Sequence, residues 1–167
     1  MSSVKLGISI GLLGLVALVG LAIWSGRPVE GEVRLPDLGN EHIESIDSEH
    51  AGYNSVPPTS GPHIGGTAEW GIHQEPIPNE IQVHNLEDGG IMVQYRPDLL
   101  SSDEIAELER VSLSSGSSHV AVAPYPDMDY PIALTAWTRL LPMEVVDQEI
   151  IGKFIRNYEG LDHHSRY

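Results

Sequence analysis

Eight histidines are the residues of this chain best suited to chemistry, because the sequence contains no cysteine. Six of the eight lie upstream of the last apolar stretch of the chain. The full set is His42, His50, His63, His73, His84, His119, His163 and His164. Without thiolates, imidazole and thioether groups are the remaining soft or borderline ligands for a transition metal. A transition-metal site in this chain would therefore be built from histidine and methionine.

Three positions are suited to bringing such ligands together. His63 follows a Ser-Gly-Pro turn, His84 is at the end of a predicted strand, and Met128 lies in a proline-rich loop. Met92, in contrast, is best interpreted as a core residue. A single histidine on a strand is more often a hydrogen-bonded structural residue than a ligand, so both interpretations stay open. His163 and His164 are predicted to form part of an exposed tail.

Catalytic motifs are not found in the sequence. Ser60 lacks the G-x-S-x-G context of a nucleophile elbow, and no P-loop or G-x-G-x-x-G pattern is present. Glu87 and Asp88 could bind a hard cation, but an acidic turn on an acidic surface is the simpler interpretation. We therefore expect a protein that is not an enzyme.

A β-hairpin is predicted to carry His84. Residues Ile81–His84 and Ile91–Tyr95 alternate apolar with other residues, and a glycine-containing turn over 85–90 separates them. This pattern predicts two antiparallel strands, with His84 at the end of the first and Asp88 in the turn.

The sequence beyond this hairpin predicts a domain that contains both helices and strands. Ser101 and Glu104 form a capping-box pattern that begins a helix. Strands are expected over Val120–Ala123 and Ile132–Trp137, and Pro142 is expected in the first turn of a final helix. The apolar stripe of that helix is Val146, Ile150, Ile151, Phe154, Ile155 and Tyr158. The predicted fold class is α+β, with a short antiparallel sheet and two helices.

The N-terminal segment is predicted to be a single transmembrane helix. From Gly7 to Trp24 the chain has no charged residue, and at 1.5 Å per residue it is about 27 Å long, close to the thickness of a bilayer core. A cleaved signal peptide is the alternative, but small residues suited to cleavage are lacking just beyond the apolar run. We therefore divide the chain into an anchor (1–26), an extended tether (27–39), an external α+β domain (40–160) and a C-terminal tail (161–167).

The net charge of the chain indicates on which side of the membrane the domain lies and which partners are excluded. The chain has 24 acidic and 9 basic residues, a formal net charge of −15. Such a surface repels nucleic acid and the anionic cytoplasmic leaflet. We therefore predict a cell-membrane protein whose C-terminal domain is on the extracytoplasmic, periplasmic side. Without cysteine, no disulfide stabilises that domain.

Three stretches of the sequence resemble a known family. They are Tyr53–His63 (YNSVPPTSGPH), Val83–Gly90 (VHNLEDGG) and the pair Ala123–Met128 (APYPDM) with Pro131–Trp137 (PIALTAW). Together they resemble the prokaryotic membrane-anchored family known as domain of unknown function 3105. The resemblance extends from about Gly52 to Tyr158, which is nearly the whole external domain.

The resemblance implies a histidine- and methionine-lined site, for copper, at His63, His84 and Met128. The family commonly has a further histidine where this chain has Asp88. If that histidine is a ligand, aspartate weakens the site or makes it favour harder metal ions, and a scaffold that has lost its metal is the alternative. The first hypothesis is thus a membrane-anchored extracytoplasmic copper-binding protein. The alternative is a non-catalytic accessory subunit of a larger membrane complex, for example an electron-transfer or photosynthetic assembly.

Overall fold

The computed structural model describes residues 28–114 and 116–164, which form eight strands and three helices. The strands are β1 (Val33–Arg34), β2 (His42–Ile43), β3 (His63–Ile64), β4 (Gly71–Ile72), β5 (Ile91–Tyr95), β6 (Val120–Pro124), β7 (Ile132–Ala136) and β8 (Arg139–Met143). The helices are α1 (Asn79–Glu87), α2 (Ser102–Leu113) and α3 (Gln148–Tyr158). The chain is therefore an α+β protein, as its sequence predicted.

A six-stranded sheet in the order β1-β8-β7-β5-β6-β4 forms the centre of the domain. Strands β4 and β5 both run parallel to β6, whereas β7 is antiparallel to β5 and to β8, and β8 is antiparallel to β1. Helix α2 makes the crossover that a parallel β5–β6 pair requires. The prediction of a short antiparallel sheet was therefore wrong in part, because the sheet has six strands and is mixed. Strands β2 and β3 form a separate parallel pair.

One face of the sheet carries the main apolar core. Leu108 and Val111 of α2 and Ile151, Phe154 and Ile155 of α3 pack there. The strand residues below them are Ile91, Val93, Tyr95, Val120, Val122, Ile132, Leu134, Ala136, Leu141 and Met143. Because successive strand residues point to opposite faces, the intervening residues are left for a second layer.

The opposite face is covered by α1. Val83 and Leu86 of this helix pack with Met92, Ala121 and Ala123 of the sheet. Trp137 closes the same apolar cluster next to β7. This second layer places the last turn of α1 over the sheet, and the candidate site is built at that turn.

The predicted hairpin over Ile81–Tyr95 was wrong in its first half. Residues Asn79–Glu87 form α1, whereas Ile91–Tyr95 is strand β5 as expected. The buried side of α1 includes the amides of Gln82 and Asn85, and these are satisfied by Gln94 and by the backbone of Ala68. Because some residues on the buried side of α1 are polar, the sequence does not show the apolar spacing that is typical of a helix. Its remaining apolar residues alternate as they would in a strand.

The final helix begins later than predicted. Pro142 is in β8, and α3 begins after Asp147, whose carboxylate accepts hydrogen bonds from the backbone N–H groups of Glu149 and Ile150. Strand β1 pairs only with Arg139 and Leu140, so Pro142 lies beyond that pairing, where a sheet tolerates proline. The chain therefore has three helices among its described residues, instead of the two that were predicted.

The N-terminal predictions have separate outcomes. The membrane helix over 7–24 lies outside the described residues. Within 28–114 and 116–164, no helix has the length and apolar character needed to cross a membrane. Of the tether, Val29 is buried in the main core and β1 pairs with β8, so these parts of it contact the domain.

Candidate metal centre

The short parallel pair of β2 and β3 places two histidines side by side. His42 and His63 are direct partners in this ladder, and the backbone N–H of His63 donates to the carbonyl of Glu41 at 3.0 Å. Their rings meet edge to face, with centroids 4.8 Å apart. The His63 side chain is fully buried, whereas that of His42 is half exposed.

The last turn of α1 brings in the third histidine and a carboxylate. His84 and Glu87 are three residues apart and His84 and Asp88 are four apart, so all three share one side of the helix. The His84 ring lies 5.1 Å from that of His63 and 5.4 Å from that of His42. Glu87, which was interpreted as a surface acid, has a side chain with no solvent exposure.

The C-terminal segment adds a fourth histidine. The backbone N–H groups of Gly160 and His163 donate to the carbonyls of Gly89 and Glu87 at 2.8 and 2.9 Å. Gly89 has φ +80°, and a Cβ there would lie 2.8 Å from the backbone nitrogen of Leu161. This glycine therefore permits the close approach that carries His164 to α1. The tail is exposed as predicted as far as residue 164, but it is attached to the site by these hydrogen bonds.

Glu87 is the centre on which the four imidazoles converge. Its Oε2 lies 3.0 Å from Nε2 of His63, 3.3 Å from Nε2 of His164 and 3.6 Å from Nε2 of His42. The Nδ1 atom of His84 is 3.9 Å from the same oxygen. The other carboxylate oxygen, Oε1, accepts a hydrogen bond of 2.7 Å from the amide of Asn40.

Hydrogen bonding fixes the tautomer of His63. Its Nδ1 lies 2.7 Å from the carbonyl oxygen of Gly61, which can only accept, so Nδ1 carries the proton and donates it. In the neutral ring Nε2 then presents a lone pair toward Glu87, 3.0 Å away. Two lone pairs at that distance repel each other unless a cation lies between them, either a proton or a metal ion. A backbone carbonyl that orients an imidazole in this way is the usual outer support of a histidine ligand.

The pKa values of Glu87 and His84 are set by this arrangement. Burial raises the pKa of Glu87, but the hydrogen bond from Asn40 and the favourable interactions with His63 and His164 outweigh burial, so the pKa is lowered overall. Burial is the main cause that lowers the pKa of His84, and it outweighs the attraction of the nearby carboxylates of Asp88 and Glu87. An ionised carboxylate beside a neutral imidazole is the form in which both groups bind metal ions.

His84 is the most incompletely satisfied member of the group. Its Nδ1 is buried and has no hydrogen-bond partner among the described residues. A buried polar atom without a partner costs about 1–3 kcal/mol, and in a native structure it often marks a functional site or a missing ion.

We call His42, His63, His84 and Glu87 the inner cluster. One ligand atom from each lies within 4.8 Å of every other. In a tetrahedral site with bonds of about 2.0–2.1 Å, ligand atoms are separated by about 3.3 Å. Small rotations of the half-exposed His42 and of His84 would therefore complete such a site, and the residues present fit a metal ion.

Of the three ligands predicted from sequence, the structure brings two together. His63 and His84 are in the inner cluster. Met128 is buried in an apolar cluster with Tyr125, Ala133 and Leu140. The contacts described for its side chain are apolar, and its role as a copper ligand stays a prediction.

Sequence reasoning missed the contributions of His42, Glu87 and His164. The spacing His84-x-x-Glu87-Asp88 is a helical signal, but it is visible only when this segment is recognised as a helix. His42 depends on a two-residue ladder with β3, and His164 depends on the docking of the C-terminal segment. Neither contact has a local sequence signature.

The fold and the site define a small α+β domain with a buried cluster of histidines around one carboxylate. The chain belongs to the family described as protein of unknown function (DUF3105), which matches residues 45–166. His63, His84, Glu87 and His164 are within the matched range, and His42 precedes it by three residues. Neither the curated proteins nor the solved structures include a match to this chain.

Proposed function

We propose that this protein binds a divalent transition-metal ion at the inner cluster and presents it from a membrane-anchored, extracytoplasmic domain. The observation that carries the proposal is the convergence of the imidazoles of His42, His63 and His84 on the fully buried carboxylate of Glu87. Histidine nitrogens and carboxylate oxygens in this combination are ligands of first-row metals.

A hydrogen-bonded cluster without metal is the competing explanation. One proton between His63 and Glu87 would make that single contact favourable, as a buried ion pair. It would leave Nδ1 of His84 without a partner. It would also leave His42 directed at a carboxylate oxygen 3.6 Å away with no hydrogen bond to it. A metal ion satisfies all of these groups at once, and for that reason we favour it.

The donor set supports a borderline ion. Three nitrogens and one carboxylate oxygen suit Cu(II) or Zn(II), and of the divalent first-row ions copper binds such sites most tightly. Cu(I) prefers soft sulfur ligands, which the inner cluster does not provide. We therefore propose Cu(II) as the ion of highest affinity in vitro and Zn(II) as its main competitor.

Replacing His84 by alanine should lower the affinity for Cu(II) by at least tenfold, which is about 1.4 kcal/mol. The substitution removes one of four ligands while the helix around it is retained. The measurement is a competition titration of the full-length protein in detergent against a chelator of known affinity.

His73→Ala is the matched control, since the His73 ring bonds the carbonyl of Glu69 and is not part of the inner cluster. Equal affinities for His84→Ala and the wild type would exclude the inner cluster as the binding site.

The membrane anchor is tested independently of the metal. We expect the protein in native membranes to resist carbonate extraction and to be released by detergent, because residues 7–24 are long and apolar enough to span a bilayer. Determination of the mature N-terminus completes the experiment. A mature chain that begins at Ser25 or later would show a cleaved signal peptide instead of an anchor.

A further inference from the structure

The two ring nitrogens of His84 face two different groups of ligands. Nδ1 points to the inner cluster, 3.9 Å from Oε2 of Glu87, and Nε2 points outward, 3.9 Å from Oδ1 of Asp88. We propose that a second divalent ion binds on the outward side, so that His84 bridges two metals. This inference rests on the proposed function, because it requires an ion in the inner cluster.

The ligands of the second ion are His84, Asp88 and His164, which we call the outer cluster. One ligand atom from each lies within 4.8 Å of the other two. Nε2 of His164 is 3.7 Å from Oδ1 of Asp88 and 3.3 Å from Oε2 of Glu87, and the rings of His84 and His164 are 6.0 Å apart. Two imidazole nitrogens and a carboxylate oxygen make a second borderline site for the same class of ion.

His164 is oriented for binding in the same manner as His63. Its Nδ1 lies 2.8 Å from Oδ1 of Asp162, and the backbone N–H of His164 donates to the same oxygen at 2.9 Å. The carboxylate accepts a hydrogen bond from Nδ1, so Nε2 is the ring atom of His164 that would bind a metal. A carboxylate–histidine pair of this kind orients a metal ligand and raises its basicity.

The outer site differs from the inner one in access. The side chains of His164 and Asp88 are 43% and 35% exposed, whereas Glu87 is fully buried. Three protein ligands leave at least one coordination position for water, which is the pattern of open sites, while four ligands close a site. The inner ion is therefore held by protein alone, and the outer ion is accessible to small ligands from solvent.

A bridge through His84 has a chemical consequence that distinguishes it from two separate sites. The bridging ring binds metal through both nitrogens, so it has given its remaining N–H proton to solvent. Two Cu(II) ions joined by such an imidazolate couple their unpaired electrons magnetically. The electron paramagnetic resonance signal of isolated Cu(II) then falls when the second ion binds.

The test is a Cu(II) titration of the full-length protein in detergent, with bound metal and the resonance signal followed together. We expect two ions to bind per chain. The Cu(II) resonance signal should rise until one equivalent of Cu(II) has been added and should fall as the second equivalent is added. Asp88→Asn and His164→Gln should weaken the second ion at least tenfold and leave the first within about threefold. Gly89→Ala should also weaken binding of the second ion, because the Cβ of the alanine would displace the segment that carries His164.

Asp127→Asn and His73→Gln are the controls, and they should retain both ions. A stoichiometry of one that Asp88→Asn does not change would overturn the second site while leaving the proposed function intact. Two bound ions whose signals simply add would overturn the bridge. Absence of any binding sensitive to His84 would instead refute the proposed function, so the two failures are distinguishable.

Discussion

Replacing Glu87 by glutamine should reduce the affinity of the inner cluster for Cu(II) at least a hundredfold, about 2.8 kcal/mol. Glutamine has nearly the same shape, but it removes the single negative charge on which the three imidazoles of the inner cluster converge. The loss occurs in a fully buried position, where attraction between an ion and a carboxylate is screened least. A competition titration of the full-length protein measures it.

Glu80→Gln is the matched control, because Glu80 is on the same helix and faces His50, 3.3 Å from its Nε2. This variant should bind Cu(II) like the wild type. Near-ultraviolet circular dichroism of both variants establishes that they are folded. If Glu87→Gln is folded and keeps wild-type affinity, the carboxylate is not a ligand, and the cluster is a buried hydrogen-bonded network.

Elements with a local signature in the sequence were predicted correctly. The Ser101–Glu104 capping box is present, with the side chain of each residue bonded to the backbone N–H of the other. The apolar stripe of α3 from Ile150 to Tyr158 and the strand over Ile91–Tyr95 are also as expected. In each of these cases neighbouring residues alone determine the structure, through a cap or a hydrophobic period.

The site could be predicted only in part, because its geometry depends on contacts between distant segments. His63 and His84 were identified by residue type, but the ladder that adds His42 has only two residues in each strand. The docking of residues 160–163 on Gly89 and Glu87 depends on backbone hydrogen bonds across more than 70 positions. Helix α1 was missed since its buried side is partly polar, and the helical spacing of Glu87 with His84 was missed with it.

Replacing Phe154 by alanine should lower the free energy of unfolding by about 3–5 kcal/mol, the usual cost of removing a buried aromatic side chain. Phe154 is the only phenylalanine of the chain, is fully buried, and meets the ring of Tyr158 at 4.9 Å. The loss is a large share of the 5–15 kcal/mol that holds a typical domain together. Urea denaturation in detergent, followed by tryptophan fluorescence, measures it against Val145→Ala, an exposed site that should change stability by less than about 0.5 kcal/mol.

The Phe154→Ala variant also tests whether a metal ion bound at the inner cluster stabilises the fold. Phe154 is a residue of α3 and lies in the core between the sheet and helices α2 and α3. The inner cluster lies at the end of α1, on the opposite face of the sheet. A ligand that binds only the folded state at 1,000 times its Kd adds about 4.1 kcal/mol. Cu(II) at that excess should therefore restore most of the stability lost in Phe154→Ala. It should restore at least about 1.4 kcal/mol less in Phe154→Ala/His84→Ala, because that protein lacks a ligand and binds Cu(II) at least tenfold more weakly. Equal rescue of both proteins would show that copper acts elsewhere on the chain.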